Sequence, residues 1–214
     1  MARPIAEFRR PEIIQAFKRA LMKCGLNLPS NDEIANEAGM SRQLIRHYFP
    51  KQPEMAHELA KALADEYQHL LSTTVIATGD VSRLKIFLDF YFGLTSGDLP
   101  QKPQDNQIYD ALLALAATDL ELQDILSGQY KLLSKVFSHE IHVAHPSLNF
   151  ELCEELSDTI VSLMYGHWKM IDVVGFSTHH HVVAREAIDR LIHSYLKSPP
   201  VRHPMEGPTQ LPVD

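Results

Sequence analysis

The stretch of sequence that decides the fold is residues 30–55, SNDEIANEAGMSRQLIRHYFPKQPEM. Ser30 and Glu33 have the spacing of a capping box, in which the serine hydroxyl accepts a backbone N–H and the glutamate reaches back to the cap residue. A helix is therefore predicted to begin at Ser30. It is predicted to end at Gly39, because glycine readily adopts the left-handed conformation that closes a helix.

A second short helix is predicted directly after this turn. Ser41 has the side chain of an N-cap residue, and Pro50 marks the end of the helical pattern. Ile45 and Phe49 lie four residues apart, as buried residues on one face of a helix do. The second helix is therefore about two turns long and packs its Ile45 and Phe49 face inward.

The opposite face of the second helix is polar and contains no carboxylate. The helical period places on it or beside it Arg42, Gln43, Leu44, Arg46 and His47. Two short helices joined by a glycine turn, with basic and polar residues exposed on the second, form the helix-turn-helix arrangement that reads the major groove of DNA. The pattern is also compatible with an ordinary helical hairpin whose polar face is solvated.

Four local features sharpen this interpretation, and they are Gly25, the pair Ile34-Ala35, the turn Ala38-Gly39-Met40-Ser41 and the run His47-Tyr48-Phe49-Pro50. Together they resemble the DNA-binding domain of the TetR-type transcriptional regulators, over roughly the first quarter of the chain. The resemblance implies a homodimeric, ligand-responsive repressor that binds a pseudo-palindromic operator in double-stranded DNA. The residues expected to contact DNA are Ser30, Asn31, Ser41, Arg42, Gln43, Leu44, Arg46, His47, Tyr48 and Lys51.

The chain departs from the family pattern at three positions in this region. Arg46 stands where the family usually has a tyrosine, and Leu44 replaces a small or hydroxylated residue. The operator sequence therefore cannot be carried over from the family. Gln52 stands where a lysine usually begins the next helix, with Lys51 one residue earlier as the candidate for the same phosphate contact.

The charge distribution separates the first 51 residues from the rest. The whole chain has a formal net charge of −7, yet residues 1–51 hold nine Lys/Arg against five Asp/Glu. A basic excess confined to this segment is typical of a part that faces phosphates, while the acidic remainder stays away from them. Arg3, Arg9 and Arg10 are interpreted as a loose basic arm before a first helix that has Pro11 in its first turn.

Beyond residue 52 the pattern predicts an all-α body. A long connecting helix is predicted from Pro53 to Leu71 or shortly beyond, followed by a break at Gly79-Asp80. Five further helices are predicted at 81–96, 105–117, 119–144, 150–174 and 178–197. The predicted organisation is a DNA-binding domain at 1–52, a ligand-binding and dimerisation domain at 53–197 and a disordered proline-rich tail at 198–214.

The last two predicted helices are candidates for the dimer interface. Small residues such as Gly166, Ala184 and Ala187 suit a four-helix bundle formed with a second copy. In the first of these helices one side is predicted to be formed by Leu152, Leu156, Ile160, Leu163, His167 and Met170. The alternative is that both helices are internal to a monomer.

Aromatic residues in the body suit a small-molecule cavity, because such cavities are mostly apolar with a few polar anchors. Candidate anchors are Asp89, His167 and Asp172, and an aromatic cage with a carboxylate would suit a cation. Aromatic stripes at helical spacing are also common in plain cores. The candidate lining residues are Phe87, Tyr91, Tyr109, Tyr130, Tyr165 and Trp168.

No cofactor, metal site or catalytic motif is predicted. The histidines at 139, 142 and 145 do not converge on one point of a helix, and those at 179–181 point in different directions. A phosphate loop, a serine elbow and a zinc-binding histidine pair around a glutamate are all missing from the sequence. A helical interaction protein or an enzyme that does not use its helix-turn-helix on DNA is the alternative function.

The expected compartment is the cytoplasm. No apolar run approaches the roughly 20 residues of a membrane span, and Met1 to Arg10 lack the features of a secretory signal. Cys24 and Cys153 lie far apart in helical patterns, as inert thiols in a reducing compartment do.

Overall fold

The structure, a computed structural model, describes residues 5–25, 27–78 and 82–198. Within these ranges the chain forms nine helices and no strand, which confirms the predicted all-α fold class. None of these helices is both long and apolar enough to cross a bilayer. The helices are α1 Ile5–Cys24, α2 Asn31–Ala38, α3 Arg42–Tyr48, α4 Pro53–Thr78, α5 Arg83–Tyr91, α6 Asn106–Ala116, α7 Leu120–Ala144, α8 Phe150–Asp172 and α9 His179–Lys197.

The helix-turn-helix unit has the caps that the sequence predicts. The Ser30 hydroxyl accepts the Glu33 backbone N–H, and the Glu33 carboxylate accepts the Ser30 backbone N–H at 2.7 Å. Gly39 has a φ of 61°, the left-handed conformation that ends α2. The Ser41 hydroxyl accepts the Leu44 N–H at 3.2 Å and begins α3. Local capping therefore determines the start of both short helices and the end of α2.

Helix α1 begins earlier than the sequence predicts. Arg9 and Arg10 are not part of a loose arm, because both lie inside the helix, and Pro11 lies in its interior rather than in its first turn. A proline at this position removes one helical hydrogen bond, so the turns before it require support from elsewhere. The predicted arm residue Arg3 lies outside the described residues.

Arg10 supplies this support through residues far away in sequence. Its guanidinium donates to the Tyr48 carbonyl at 2.8 Å, contacts the Glu58 carboxylate and lies 4.2 Å from the centre of the Phe49 ring. Helix α1 is thereby joined to the end of α3 and to α4. These contacts were not predictable from spacing, since their partners are about 40 residues or more apart in sequence.

All five predicted body helices are present, and their ends agree with the prediction to within a few residues except in α5. This helix ends at Tyr91 instead of residue 96, and Gly93 follows with a φ of 69° that L-residues rarely adopt. Helix α4 continues past Leu71 to Thr78. The predicted break at Gly79-Asp80 and nearly all of the predicted tail lie outside the described residues.

Apolar side chains form two clusters, and α4 belongs to both of them. The first cluster joins α1, α2, α3 and the start of α4 to α6 and the beginning of α7. The second joins the rest of α4 to α5, α7, α8 and α9. Helix α1, which packs on the helix-turn-helix unit, is therefore also packed directly against α6.

Helix α8 presents an apolar outer face that includes two residues predicted to share a side with its buried residues. Leu163 and Met170 are 49% and 42% exposed, whereas Ile160, Met164 and His167 are buried. The prediction for Leu163 and Met170 is wrong because the buried stripe advances through residues 156, 160, 164 and 167. Leu163 and Met170 are seven residues apart and so share one exposed face.

Candidate functional site

Helix α3 presents a polar face to solvent from a firmly packed base. Ile45 and Phe49 are almost fully buried, at 0% and 1% exposure, which confirms the predicted inward stripe. Gln43, Arg46 and His47 are exposed on the other side. A rigid short helix with free amide, guanidinium and imidazole groups is chemically suited to hydrogen bonding with base edges.

The remaining predicted DNA-contact residues on and near α3 differ in how exposed they are and in which protein groups they contact. Leu44 and Tyr48 are half-buried, and Ser41 uses its hydroxyl on the helix cap. Arg42 donates to the Asp32 carboxylate of α2 at 3.1 Å, so its guanidinium is held across the turn. Both partners are exposed, and such a pair contributes little to stability and exchanges readily for another anion.

Two cations near α3 have no carboxylate partner of their own. Among the described residues, neither Arg46 nor Lys51 forms an ion pair, although Lys23 and Arg19 both pair with Glu37. The Lys23 ammonium, with Arg19 nearby, holds the pKa of Glu37 below its usual value. The free positive charge of the unit is therefore concentrated at α3 and at the turn that follows it.

The start of α2 is tied to the start of α4. The Ser30 backbone N–H and hydroxyl hold the pKa of Glu33 below its usual value, so the capping carboxylate remains charged. Asn31 is half-buried, and its side-chain oxygen has no hydrogen-bond partner among the described residues. Gln52 donates to the Pro29 carbonyl at 2.7 Å. Gln52, which departs from the family pattern, thus has a structural role here.

A cavity of about 530 Å³ lies in the body between α4, α5, α6, α7 and α8. The structure brings all six predicted aromatic residues together around it, and α4 adds a seventh that the sequence analysis missed. This volume accommodates one drug-sized molecule. The aromatic residues of the wall are Tyr67, Phe87, Tyr91, Tyr109, Tyr130, Tyr165 and Trp168.

None of the three predicted polar anchors lines this cavity. Asp89 accepts from Arg185 at 2.9 Å, and Asp172 accepts from Asn106 at 2.5 Å. His167 hydrogen bonds to His181 at 2.9 Å across α8 and α9. The prediction was wrong because each of these groups already has a protein partner. The charged residues of the wall are two lysines, Lys102 and Lys169, and its uncharged polar residues are Gln68, Ser72, Asn106 and Gln129.

Lys102 belongs to a buried polar group at one end of the cavity. Its ammonium donates to Asn106 Oδ1 at 2.7 Å and lies 3.5 Å from the Asp105 carboxylate. The Tyr67 hydroxyl donates to the same carboxylate at 2.8 Å. Burial lowers the pKa of Lys102 and raises that of Asp105, and burial together with Asp105 raises the pKa of Tyr67.

The sequence gives little warning of this polar group. Lys102 and Asp105 fall in the proline-rich segment between α5 and α6, which has no helical periodicity from which to assign a face. Tyr67 lies at helical spacing from the buried Leu59 and Leu63 of α4, as an ordinary core residue does. The one available signal was a lysine and an aspartate three residues apart at the start of a predicted helix.

The histidine-rich stretches make local contacts. His142 lies 3.1 Å from the Leu148 carbonyl at the end of α7, and His181 faces His167. Across the described residues, no three or more His, Cys, Asp or Glu side chains are grouped in a way that would hold a metal ion.

The comparison with known proteins rests on structure rather than on sequence. No protein-family model matches the chain, and no curated protein matches it in sequence. A transcriptional regulator from Rhodococcus sp. Rha1 is similar with a TM-score of 0.70 at 16% identity, over 90% of this chain and 99% of that one. A TetR transcriptional regulator from Legionella pneumophila is similar with a TM-score of 0.66 at 17% identity, over 84% and 95%.

A ligand complex is also among the similar structures. The multidrug binding protein EbrR complexed with imidazole has a TM-score of 0.63 at 15% identity, over 91% of this chain and 97% of that one. The chain therefore has, over nearly its whole length, the fold of the TetR-type regulators. This confirms the predicted architecture of an N-terminal helix-turn-helix unit followed by a helical body.

Proposed function

We propose that the protein is a DNA-binding transcriptional regulator of the TetR type, acting as a homodimeric repressor that a small molecule releases from a pseudo-palindromic operator in the cytoplasm. The observation that carries the proposal is the exposed face of α3. Gln43, Arg46 and His47 project from a helix fixed by two caps and a buried stripe. The fold shared with solved regulators supports the same role.

Within this proposal, the contact residues divide into base readers and phosphate anchors. The base readers are Arg42, Gln43, Leu44, Arg46 and His47, because they lie on or beside the polar face of α3. The anchors hold the unit on the backbone of the duplex, which positions the readers without specifying sequence. They are Ser30, Asn31, Ser41, Tyr48 and Lys51.

The dimer is proposed to form through the outer face of α8 and α9. Leu163 and Met170 of α8 are exposed, and so are Val183 and Ala187 of α9. Exposed apolar side chains that recur at helical spacing on neighbouring helices favour a helical bundle with a second copy. A symmetric dimer in turn matches a pseudo-palindromic operator.

Two helices connect the cavity to the head, the N-terminal part of the molecule formed by α1, α2 and α3. Helix α4 buries Leu59 in the first apolar cluster, which includes residues of the head, and places Tyr67 against the cavity. Helix α6 likewise buries Leu112 beside α1 and lines the cavity with Tyr109. A ligand that displaces the cavity ends of these helices therefore also displaces the head. A small molecule bound to EbrR, a protein of the same fold, supports the proposed ligand dependence.

The test is selection of duplex fragments from the source genome by the full-length protein. The expected result is enrichment of fragments with two similar half-sites about one helical turn apart, and retention that weakens steeply with salt. The matched control carries Gln43→Ala and Arg46→Ala. Equal recovery of all fragments by both proteins would favour the alternative, a helical interaction protein or enzyme that does not use this unit on DNA.

A further inference from the structure

Ammonium groups of the protein itself already lie against some of the aromatic rings of the cavity wall. The Lys102 ammonium lies 4.5 Å from the centre of the Trp168 ring, and the Lys169 ammonium lies 5.2 Å from that of Tyr165. Both are cation–π distances. A cationic ligand would have to displace these ammonium groups or bind beside them against like-charge repulsion. The part of the wall formed by Trp168 and Tyr165 is therefore poorly suited to a cation.

The carboxylates that balance these lysines lie behind the wall. Lys169 contacts both oxygens of Asp110, and Lys102 lies beside Asp105, but neither aspartate lines the cavity. Among the described lining residues there is no Asp or Glu at all. An ammonium has three N–H donors, so two bonds from Lys169 to Asp110 leave it one for a ligand.

Three phenol groups add further donors to the same wall. Tyr91, Tyr109 and Tyr130 line the cavity, and their hydroxyls make no hydrogen bond to any residue within the described ranges. Burial raises the pKa of Tyr130 to about 12 and also raises those of Tyr91 and Tyr109. All three phenols therefore keep their protons at neutral pH and can donate to a ligand oxygen.

We propose that the cavity selects an organic acid, a single carboxylate attached to a large apolar body, in preference to the matching alcohol or amine. The carboxylate binds at the Lys169 and Tyr130 side of the wall, and the apolar body packs against Phe87, Tyr91 and Trp168. This inference rests on the proposed function, because it names the chemical class of the ligand for the cavity already described.

The experiment measures binding of three probes that share one ring system. Biphenylacetate, biphenylethanol and biphenylethylammonium are titrated into the full-length protein without DNA. Trp168 is the only tryptophan of the chain and lies on the cavity wall, so its fluorescence reports occupancy directly. The acetate is expected to bind about tenfold more tightly than the alcohol, and the ammonium more weakly than either.

Two variants locate the preference within the wall. Tyr130→Phe removes one hydroxyl and leaves the ring, and the double variant Lys169→Met with Asp110→Asn removes an ion pair without stranding either charge. Each is expected to weaken acetate binding several-fold and to leave alcohol binding nearly unchanged. Tyr195→Phe in α9 is the matched control, because Tyr195 is not among the residues that line the cavity and has no assigned role in DNA binding. Thermal melting confirms that each variant is folded.

The outcomes separate this inference from the proposed function. Equal affinity for the three probes, preference for the ammonium, no binding of the acetate, or an acid preference that both variants retain would each overturn the inference. A selected acid that leaves operator binding unchanged would support the ligand class and reject the cavity as the switch. Operator binding without any acid preference would reject the ligand class and support the DNA-binding function.

Discussion

In the proposed function, Gln43 is the residue on which sequence reading by α3 most directly depends. Its side chain is exposed on the polar face, and a glutamine amide can form two hydrogen bonds with adenine, a pair that provides about 1–3 kcal/mol of discrimination. Gln43→Ala is therefore expected to lower affinity for the selected operator by about that amount and to leave binding to random duplex nearly intact.

Fluorescence anisotropy on both duplexes measures the two affinities. Gln107→Ala is the control, since Gln107 is an exposed glutamine of α6 outside the head. An equal loss on operator and random duplex would show that Gln43 does not read a base.

Lys51 is expected to act through charge alone. It is exposed after α3 and, among the described residues, has no ion-pair partner. A lysine that neutralises one phosphate releases about one counterion, so Lys51→Ala should reduce the slope of log affinity against log salt by about 0.9. Lys131→Ala, an exposed lysine of α7, is the control. An unchanged slope would place Lys51 away from the phosphates.

Residue roles were predictable wherever a partner lies within one or two helical turns. The Ser30 and Glu33 cap, the Gly39 turn and the buried Ile45 all follow from local spacing, and the structure has them as predicted. Arg10 and Tyr67 were missed because their partners are distant in sequence. A short-range pattern cannot show which side chain will meet a distant carbonyl or carboxylate.

The turn between α2 and α3 depends on one backbone conformation. Gly39 has a φ of 61°, and an added Cβ would meet nothing within 4 Å, so a side chain there costs conformational strain without a clash. The left-handed conformation costs an L-residue roughly 1–2 kcal/mol. Gly39→Ala is therefore expected to lower the free energy of unfolding by that amount and to weaken operator binding.

Gly128 offers a matched control for this substitution, because alanine there is expected to raise the free energy of unfolding rather than lower it. It lies inside α7 with ordinary helical backbone and open space around it. Gly128→Ala should stabilise the protein by about 0.5–1 kcal/mol, because alanine is the better helix former. Urea unfolding of both variants measures the two changes. Destabilisation by both, or by neither, would contradict the role assigned to the φ of Gly39.

The crossing of α8 and α9 is expected to be sensitive to pH. Burial, and then the nearby His181 and His180, lower the pKa of His167 to about 4, and burial lowers that of His181 as well. The nearby Asp172 opposes both shifts but does not reverse them. The folded protein keeps His167 neutral, whereas the unfolded chain binds a proton near pH 6.5. The contribution of neutral His167 to the stability of the folded protein is therefore fully present above about pH 6.5 and is lost as pH falls toward 4.

This prediction is tested by the melting temperature as a function of pH. The wild type should lose stability between about pH 7 and pH 4.5, and His167→Gln should lose less over the same interval. His139→Gln serves as the control, because His139 is exposed on α7. Identical pH profiles for wild type and His167→Gln would remove His167 from the explanation.

Element positions were more predictable than the faces that the elements bury. Periodicity and caps predicted every helix of the described part. They did not predict where α5 ends or that the Leu163 side chain is exposed. The α5 boundary depends on a glycine conformation that the sequence permits without requiring. Leu163 is exposed because the packing partners of α8 decide which of its faces is buried. The apolar residues on the other face remain available for contact with another chain.

At the scale of the whole molecule, the sequence predicts a head and a body but not how they meet. The resemblance covers the head, and the body was predicted only as helices and a loose set of aromatic residues. The structure packs α6 against α1 and ties α4 to the start of α7 through His57, which lies 2.8 Å from Asp119. Both contacts join segments at least 60 residues apart in sequence, so no local sequence pattern predicts them.

The last prediction is the coupling between cavity and operator. If the dimer is held by α8 and α9, both α3 helices must lie about 34–36 Å apart to enter successive major grooves. A ligand that favours another spacing shifts the population only by its differential affinity for the two arrangements. Operator should therefore weaken ligand binding by the same factor by which ligand weakens operator binding, typically about 5–150-fold.

The measurement needs a ligand found by thermal-shift screening, followed by titration of ligand with and without operator and of operator with and without ligand. His57→Gln, which loses the contact between α4 and the corner before α7, is expected to reduce the coupling factor while leaving ligand affinity without DNA nearly unchanged. His69→Gln, farther along α4, is the control for a histidine substitution in the same helix. A ligand that stabilises the protein and leaves operator affinity unchanged would mean that the cavity binds small molecules without controlling the head.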